Sequence, residues 1–418
     1  MNQGINNKKN KNTGGIGIVL MVFGVVLMSL KAFVPAASPH MPGGILLAIV
    51  LFILVGVMLS AGIGKFVKYL LLSLVLFLIP ILSLLQSLIV NDGNAFSHLV
   101  TVLMLIVWPV FSSYVLAHRQ ERRIILLSRV LLLFVSGLLV LTMVTTYIGN
   151  LEFPGASRAL AHYDADTSGL LSLYTSMNIG GFAFVYTITL ILPLLSYWMK
   201  TGKMALMLGS AGFVVAIMCI IGSQYSIALM MSIISVSMCF FPRQIRVSHI
   251  FSFASLFLVL LLTGPLIGDF FLYLSNNIEG QTMSSRMEEV YQIFSGGGMD
   301  STSDTSTRVG LIAMSWNTFF DHFLIGSSVG AGGHSYLVDT LAHFGIIGMV
   351  AIVVSFRYMF KQYVTPLKRT DLYYYALACY LINIVQCYVN TYNGFVLFTL
   401  ILPLFVVAFQ DKLKQTIN

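Results

Sequence analysis

The chain has 418 residues, of which 57% are hydrophobic and only 9% charged, with a formal net charge of +8. Together with a mean hydropathy of +0.89, that balance excludes a soluble globular protein. It describes a polytopic membrane protein whose long apolar runs read as helices rather than barrel strands. The four cysteines, Cys219, Cys239, Cys379 and Cys387, all fall inside apolar runs, which excludes a disulfide framework or a zinc spacing and leaves packing as their role.

In chain order, an Asn/Lys-rich start without a small-residue cleavage site leads into a retained first helix. Apolar spans of membrane length are predicted at 15–34, 43–64, 69–90, 97–117, 124–148, 179–199, 204–222, 225–241, 250–273, 345–360, 372–389 and 394–410, twelve in all. The connections alternate in charge. One side collects Lys8, Lys9, Lys11, Lys65, Lys68, Arg119, Arg122, Arg123, Lys200, Lys203, Arg243, Arg246, Arg357, Lys361, Lys368, Arg369, Lys412 and Lys414. The excess of lysine and arginine makes that side cytoplasmic and puts both termini there. Arg129, one turn inside its span, can snorkel to the same side. The basicity is therefore a topology signal and excludes a nucleic-acid patch. The whole chain, 1–418, reads as one membrane domain with two long outer connections, 149–178 and 274–344, of a length that favours function.

The second of these holds the most informative stretch, 304–348. Val309, Ile312, Ala313, Trp316, Phe319 and Phe320 recur at helical spacing and predict one apolar face, capped at its start by Asp304 or Ser306. Arg308 in the first turn and Asp321 near the last both oppose the helix dipole. A Gly-rich turn runs from Gly326 to Gly333, and a further helix is expected to open near His334. His334 follows two glycines that permit close backbone approach to a ligand. Its imidazole is either an interfacial cap or a base that takes a proton near neutral pH. Arg286 and Arg308 face several acids in the same connection and either form ordinary salt bridges or bind phosphate oxygens in bidentate fashion. No acidic cluster has metal-ligand spacing; Asp164 and Asp166 form one close pair, beside His162. Asp339 and His343, four residues apart, share a helical face and are expected to pair, whereas His334 lies well round the helix from Asp339.

The Arg-led surface helix, the segment Phe323-Leu324-Ile325-Gly326, the run Gly332-Gly333-His334-Ser335 and the sequence Gly345-Ile346-Ile347-Gly348 before a membrane helix resemble the bacterial O-antigen polymerase and ligase superfamily. The likeness is greatest to the capsule and exopolysaccharide polymerases. An Arg, ten residues and a Gly, found as Arg158 to Gly169 and as Arg286 to Gly297, are similar to that family's paired outer-loop motif. The family carries an Arg in the tight outer turn where this chain has Gln224, and an acidic residue where it has His343.

The resemblance implies an all-α integral membrane protein of about twelve transmembrane helices, GT-C-like, with amphipathic surface helices in its large outer loop. It implies a metal-independent, cofactor-free glycosyltransferase in the bacterial cytoplasmic membrane with its site on the exterior face. Undecaprenyl-pyrophosphate-linked oligosaccharide would be both donor and acceptor, joined with inversion and release of undecaprenyl pyrophosphate. His334 would activate the acceptor hydroxyl. Arg308, with Arg286, Arg158, Gln224 and Asp339, would hold the pyrophosphate and substrate. A flippase and a chain-length regulator are the implied partners. A ligase passing glycan to another acceptor, and a polysaccharide flippase or transporter, are the alternatives.

Overall fold

The computed structural model describes residues 2–90, 95–160, 168–249, 264–277, 304–327, 331–391 and 394–413, with isolated positions between. Every regular element among them is helical. The principal helices are α1 (Asn2–Phe33), α2 (Gly43–Ala61), α3 (Ile63–Ile89), α4 (Ala95–Ala117), α5 (Arg122–Glu152), α6 (Phe182–Met199), α7 (Lys203–Gly222), α8 (Ser226–Cys239), α9 (Gly264–Asn277), α10 (Asp304–Asp321), α11 (Tyr336–Met359), α12 (Tyr373–Val389) and α13 (Leu402–Ala408).

Eight of the helices among the described residues are long and apolar enough to cross a membrane: α1 to α7, and α11 with its continuation to Leu367. The protein is thus a multi-pass helical membrane protein. Of the other predicted spans, those at 225–241 and 394–410 are shorter helices, α12 has 17 residues, and much of 250–273 lies outside the described residues. Two predicted boundaries are corrected. The third span starts at Ile63 and bends through a 3-10 turn at Val75–Phe77, just ahead of Pro80. The helix expected at 345–360 begins at Tyr336 and is broken at Gly345.

Burial sorts the bundle into a centre and a rim. The span of α6 is 72% buried and that of α4 61%, while the other six are 28–39% buried and leave residues such as Leu126 and Leu133 facing outward. With no water to drive helices together, such an outward apolar surface belongs against lipid. In α6 the hydroxyls of Thr187, Thr189 and Ser196 each donate to the carbonyl four residues earlier, so the central helix buries no unmet hydroxyl there.

Several residues of the predicted basic connections meet at one end of the bundle. Arg129 does reach that end: its Nη2 lies 3.0 Å from Asp411 Oδ2, and its Nε donates to Ala408 O at the last turn of α13. Nearby, the fully buried carboxylate of Asp371 accepts from Tyr197 Oη at 2.8 Å and pairs with Arg243 Nε at 2.7 Å, while Lys200 Nζ donates to Tyr375 Oη at 2.9 Å. This latch joins α6, the segment after α8 and the start of α12. Burial pushes the Lys200 ammonium down to about 8.

Removing one partner of a buried pair strands the other charge, at a cost of about 3–5 kcal/mol. Asp371→Ala is expected to lower the thermal midpoint in detergent by several degrees, with Arg243→Met/Asp371→Leu recovering most of the loss; differential scanning fluorimetry reads both.

Candidate functional site

At the end opposite the latch, α10 lies against the first turns of α11. The buried stripe of α10 differs from the predicted face. Ser315 and Phe319 are buried, whereas Val309 and Phe320 are 57% and 67% exposed. The correction has a chemical cause, because Ser315 makes polar contacts across the interface. Its Oγ donates to Asp339 Oδ1 at 2.6 Å and accepts from Gly332 N at 2.7 Å. Trp316, Phe319, Phe320 and Phe323 form an aromatic cluster with centroids 5.2–5.9 Å apart, and Phe320, Leu324 and Ile325 leave an apolar surface suited to the membrane interface.

The helix expected near His334 opens at Tyr336, with Ser335 as its N-cap. Ser335 Oγ accepts from Val338 N at 3.1 Å, and Asp339 Oδ2 accepts from Ser335 N at 2.8 Å. This is a reciprocal cap of the capping-box type, extended by one residue. Both oxygens of Asp339 are thereby engaged, one by α10 and one by the loop that carries His334. Asp339 is buried at 8% exposure and holds this frame together. His334 sits half-buried immediately ahead of the cap, in a loop fixed at Gly332 and at Ser335.

The expected pairing of Asp339 with His343 gives way to a different arrangement. His343 Nδ1 lies 3.2 Å from Ser327 O, and Ser327 N donates to Ala342 O. The helix breaks at Gly345, whose φ is +56° and ψ −139°, and the turn from Phe323 to Ser327 fits into the break, with Ile346 N donating to Phe323 O at 2.8 Å. A Cβ at Gly326 would stand 2.3 Å from the His343 carbonyl, and one at Gly345 2.5 Å from Phe323 O. Both glycines also have φ values that side chains disfavour. The two sequence segments singled out as a motif, Phe323–Gly326 and Gly345–Gly348, are thus the two halves of one interlocked turn.

A second group of predicted residues meets elsewhere on the same end. After α5 the short helix Ala156–Ala159 presents Ser157, whose N–H donates to Asn150 Oδ1 and whose carbonyl accepts from Tyr225 Oη at 2.7 Å. Arg158 and Gln224 are the chain neighbours of that Ser157–Tyr225 bond. Gln224 is held at φ +56°, a left-handed conformation that costs a non-glycine residue about 1 kcal/mol. Arg308 lies in the second turn of α10. Only its backbone is described, with its Cα on the helical face of Ser315, seven residues and about 10 Å along the axis. Arg286, and with it Gly297, His162, Asp164 and Asp166, lie outside the described residues, as do the side chains of Asp304 and Ser306. No group of His, Cys, Asp and Glu among the described residues is arranged to hold a metal ion.

Charge and hydropathy patterns do not reveal one further feature, a set of buried amides. On α12, Asn383 and Gln386 stand three residues apart, and Asn390 is the extended residue that follows the helix; they are 0%, 0% and 3% exposed. Asn383 Nδ2, both ends of the Gln386 amide and Asn390 Nδ2 find no hydrogen-bond partner among the described residues. The column runs up to the His334 frame, where Tyr336 N donates to Asn390 O at 2.9 Å and Ser335 Oγ donates to Cys387 O at 3.5 Å. Each unmet buried polar group costs about 1–3 kcal/mol, so four together mark a place where a polar ligand or water completes the structure. The signal was present as an Asn–Gln–Asn spacing in an otherwise apolar stretch.

Neither a protein-family model nor any curated protein searched matches this chain.

Gly326→Ala combines a clash with a disfavoured φ and is expected to pull the turn out of the helix break. A red shift and loss of Trp316 emission, isolated by replacing the chain's other two tryptophans, would register the opening; an unchanged spectrum would not fit the interlock. In contrast, Gln386→Leu removes unmet amide groups and is expected to raise the thermal midpoint by a few degrees while impairing function.

Proposed function

We propose that the protein polymerises polysaccharide by joining oligosaccharide repeat units carried on a polyprenyl (undecaprenyl) pyrophosphate. The observation that carries the reading is the His334 loop: a half-buried imidazole behind two glycines, fixed by Ser315 and Asp339 at the mouth of a broken membrane helix. It is supported by the motifs that resemble the O-antigen polymerase and ligase superfamily and by the amide column behind the loop, whose donors and acceptor suit a hydroxyl-rich ligand.

In this reading the chain has about twelve spans in a GT-C-like arrangement. Both termini are cytoplasmic, the membrane is the bacterial inner membrane, and the His334 end faces the exterior. His334, as a neutral imidazole, takes the proton from the acceptor hydroxyl as that oxygen attacks the anomeric carbon of the growing chain. The C–O bond to pyrophosphate breaks with inversion, and the electron pair leaves with undecaprenyl pyrophosphate. Arg308 with Arg286 on one side, and Arg158 with Gln224 on the other, neutralise the leaving group. Asp339 is a positioning residue that holds the His334 loop. The apolar surface of Phe320, Leu324 and Ile325 keeps α10 at the bilayer interface, where lipid-linked sugars present their head groups. A flippase would deliver the repeat units and a chain-length regulator would set product size. A ligase handing glycan to a different acceptor uses the same chemistry.

The broken helix α11 and the buried amides favour a second reading as well, a transporter of lipid-linked saccharide, because discontinuous helices and membrane-buried polar groups also build transport sites.

The test uses purified protein in nanodiscs with a synthetic polyprenyl-pyrophosphate repeat unit. Wild type is expected to give a ladder of products, and His334→Ala and Arg308→Ala each to lose it by about 100-fold or more, in the range for removing a general base or a charge stabiliser. A full ladder from His334→Ala would remove the base. Single transfer to a foreign acceptor without a ladder would favour the ligase, and movement of intact substrate across a liposome without transfer would favour the transporter.

A further inference from the structure

A cavity of about 290 Å³ opens at the basic end of the bundle, remote in the fold from the His334 loop. Its walls are Tyr69 from α3, Ser113 at the end of α4, Arg119 in the following turn, Gln362 after α11, and Pro403 and Val406 from α13. Two observations set it apart from a packing defect. The chain adopts a π-helical turn at Phe360–Val364, which supplies Gln362, and another at Leu397–Ile401, directly ahead of Pro403. Wide turns of this kind cost hydrogen-bond geometry and concentrate at functional sites. The wall residue Tyr363 is anchored, its Oη bonded to Ser112 Oγ at 2.8 Å.

Basic residues outnumber acidic ones in the sequence flanking the wall segments. Lys65 and Lys68 precede Tyr69, Arg122 and Arg123 follow Arg119, and Lys368 and Arg369 follow the wall residue Leu367. The acids at this end are occupied elsewhere: Glu121 by Arg123, Asp411 by Arg129 and Asp371 by Arg243. Arg119 has no carboxylate within ion-pair distance among the described residues. An apolar cavity with one arginine and an amide at its lip, inside a basic rim at the membrane surface, complements an amphiphile with a negative head.

We propose that this cavity binds an anionic phospholipid, its phosphate against Arg119 and Gln362 and its chains along Pro403 and Val406. Such a ligand would brace α3, α4, α11 and α13 where they converge and tie the bundle to anionic membranes. The inference stands on the membrane character of the chain and is independent of the chemistry proposed at the other end.

The experiment is native mass spectrometry of the full chain in detergent, mixed with equimolar dioleoyl phosphatidylglycerol and dioleoyl phosphatidylcholine. Phosphatidylglycerol is expected to be retained at least fivefold over phosphatidylcholine. Arg119→Gln, at an exposed and foldable position, should bring that ratio near one, and Val406→Trp should remove the adduct by filling the cavity. Lys203→Gln deletes a charge from the same end, away from the walls, and should leave the ratio unchanged. Equal retention of the two lipids by wild type, or an equal loss in Lys203→Gln and Arg119→Gln, would overturn the proposal. Displacement of phosphatidylglycerol by millimolar inorganic phosphate at undiminished occupancy would overturn it in favour of a free phosphate.

Discussion

The arrangement at the His334 end depends on one carboxylate. Asp339 is buried, and an unpaired buried charge would be very costly. It is met by a hydroxyl from α10 and by the backbone of its own helix cap. Because those donors come from separate segments, satisfying Asp339 fixes three things together: how α10 lies on α11, where α11 begins, and where the Gly332–His334 loop sits. The interlock at Gly326 and Gly345 acts one turn further on, seating the end of α10 in the break of α11. Loops between membrane helices are usually the mobile part of such proteins. Here the loop bearing the candidate base is tied at both ends to buried groups.

The two ends of the molecule solve different problems. At the basic end, Asp371, Arg243, Tyr197 and Lys200 use opposite charges and aromatic hydroxyls to close the bundle. At the other end, Asn383, Gln386 and Asn390 are uncharged, and four of their amide atoms have no hydrogen-bond partner among the described residues. Replacing them with apolar side chains of similar size would favour stability, so packing alone does not account for these three amides. Proteins commonly hold such unfavourable groups where function requires them. A hydroxyl-rich saccharide, with donors and acceptors at every carbon, matches amides better than it matches charges.

Much of this was legible in the sequence for a simple reason. In a membrane, backbone groups must be met within the segment, so length and hydropathy predict helices directly; eight of the predicted spans are long apolar helices in the structure. The helix predicted at 372–389 is found at Tyr373–Val389, whereas the last predicted span passes through a π-helical turn at Leu397–Ile401 before Pro403 opens α13, a feature that periodicity does not register. At the candidate site, the glycine spacing pointed to the correct turn, and Ser335 emerged one residue from the expected helix start. The apolar face of α10 was misread because Ser315, a polar residue, is its buried centre; pattern reasoning assigns serines to the surface. Asp339 and His343 share a face on an ideal helix, yet each has a partner from another segment, which no local rule supplies. The buried amides were missed because charge and hydropathy patterns do not reveal them.

The central proposal is that the His334 loop, Arg158 with Gln224, and the amides of Asn383, Gln386 and Asn390 together receive a lipid-linked saccharide from the exterior face. The most direct measurement is an electron cryomicroscopy structure in nanodiscs with a non-transferable polyprenyl-phosphonate-linked repeat unit. Saccharide density against His334 and Gln386, with the phosphonate towards Arg308 or Arg158, is the expected result. Phosphonate density at the basic end, or saccharide threading the bundle between the two ends, would contradict the assignment and turn the reading towards transport.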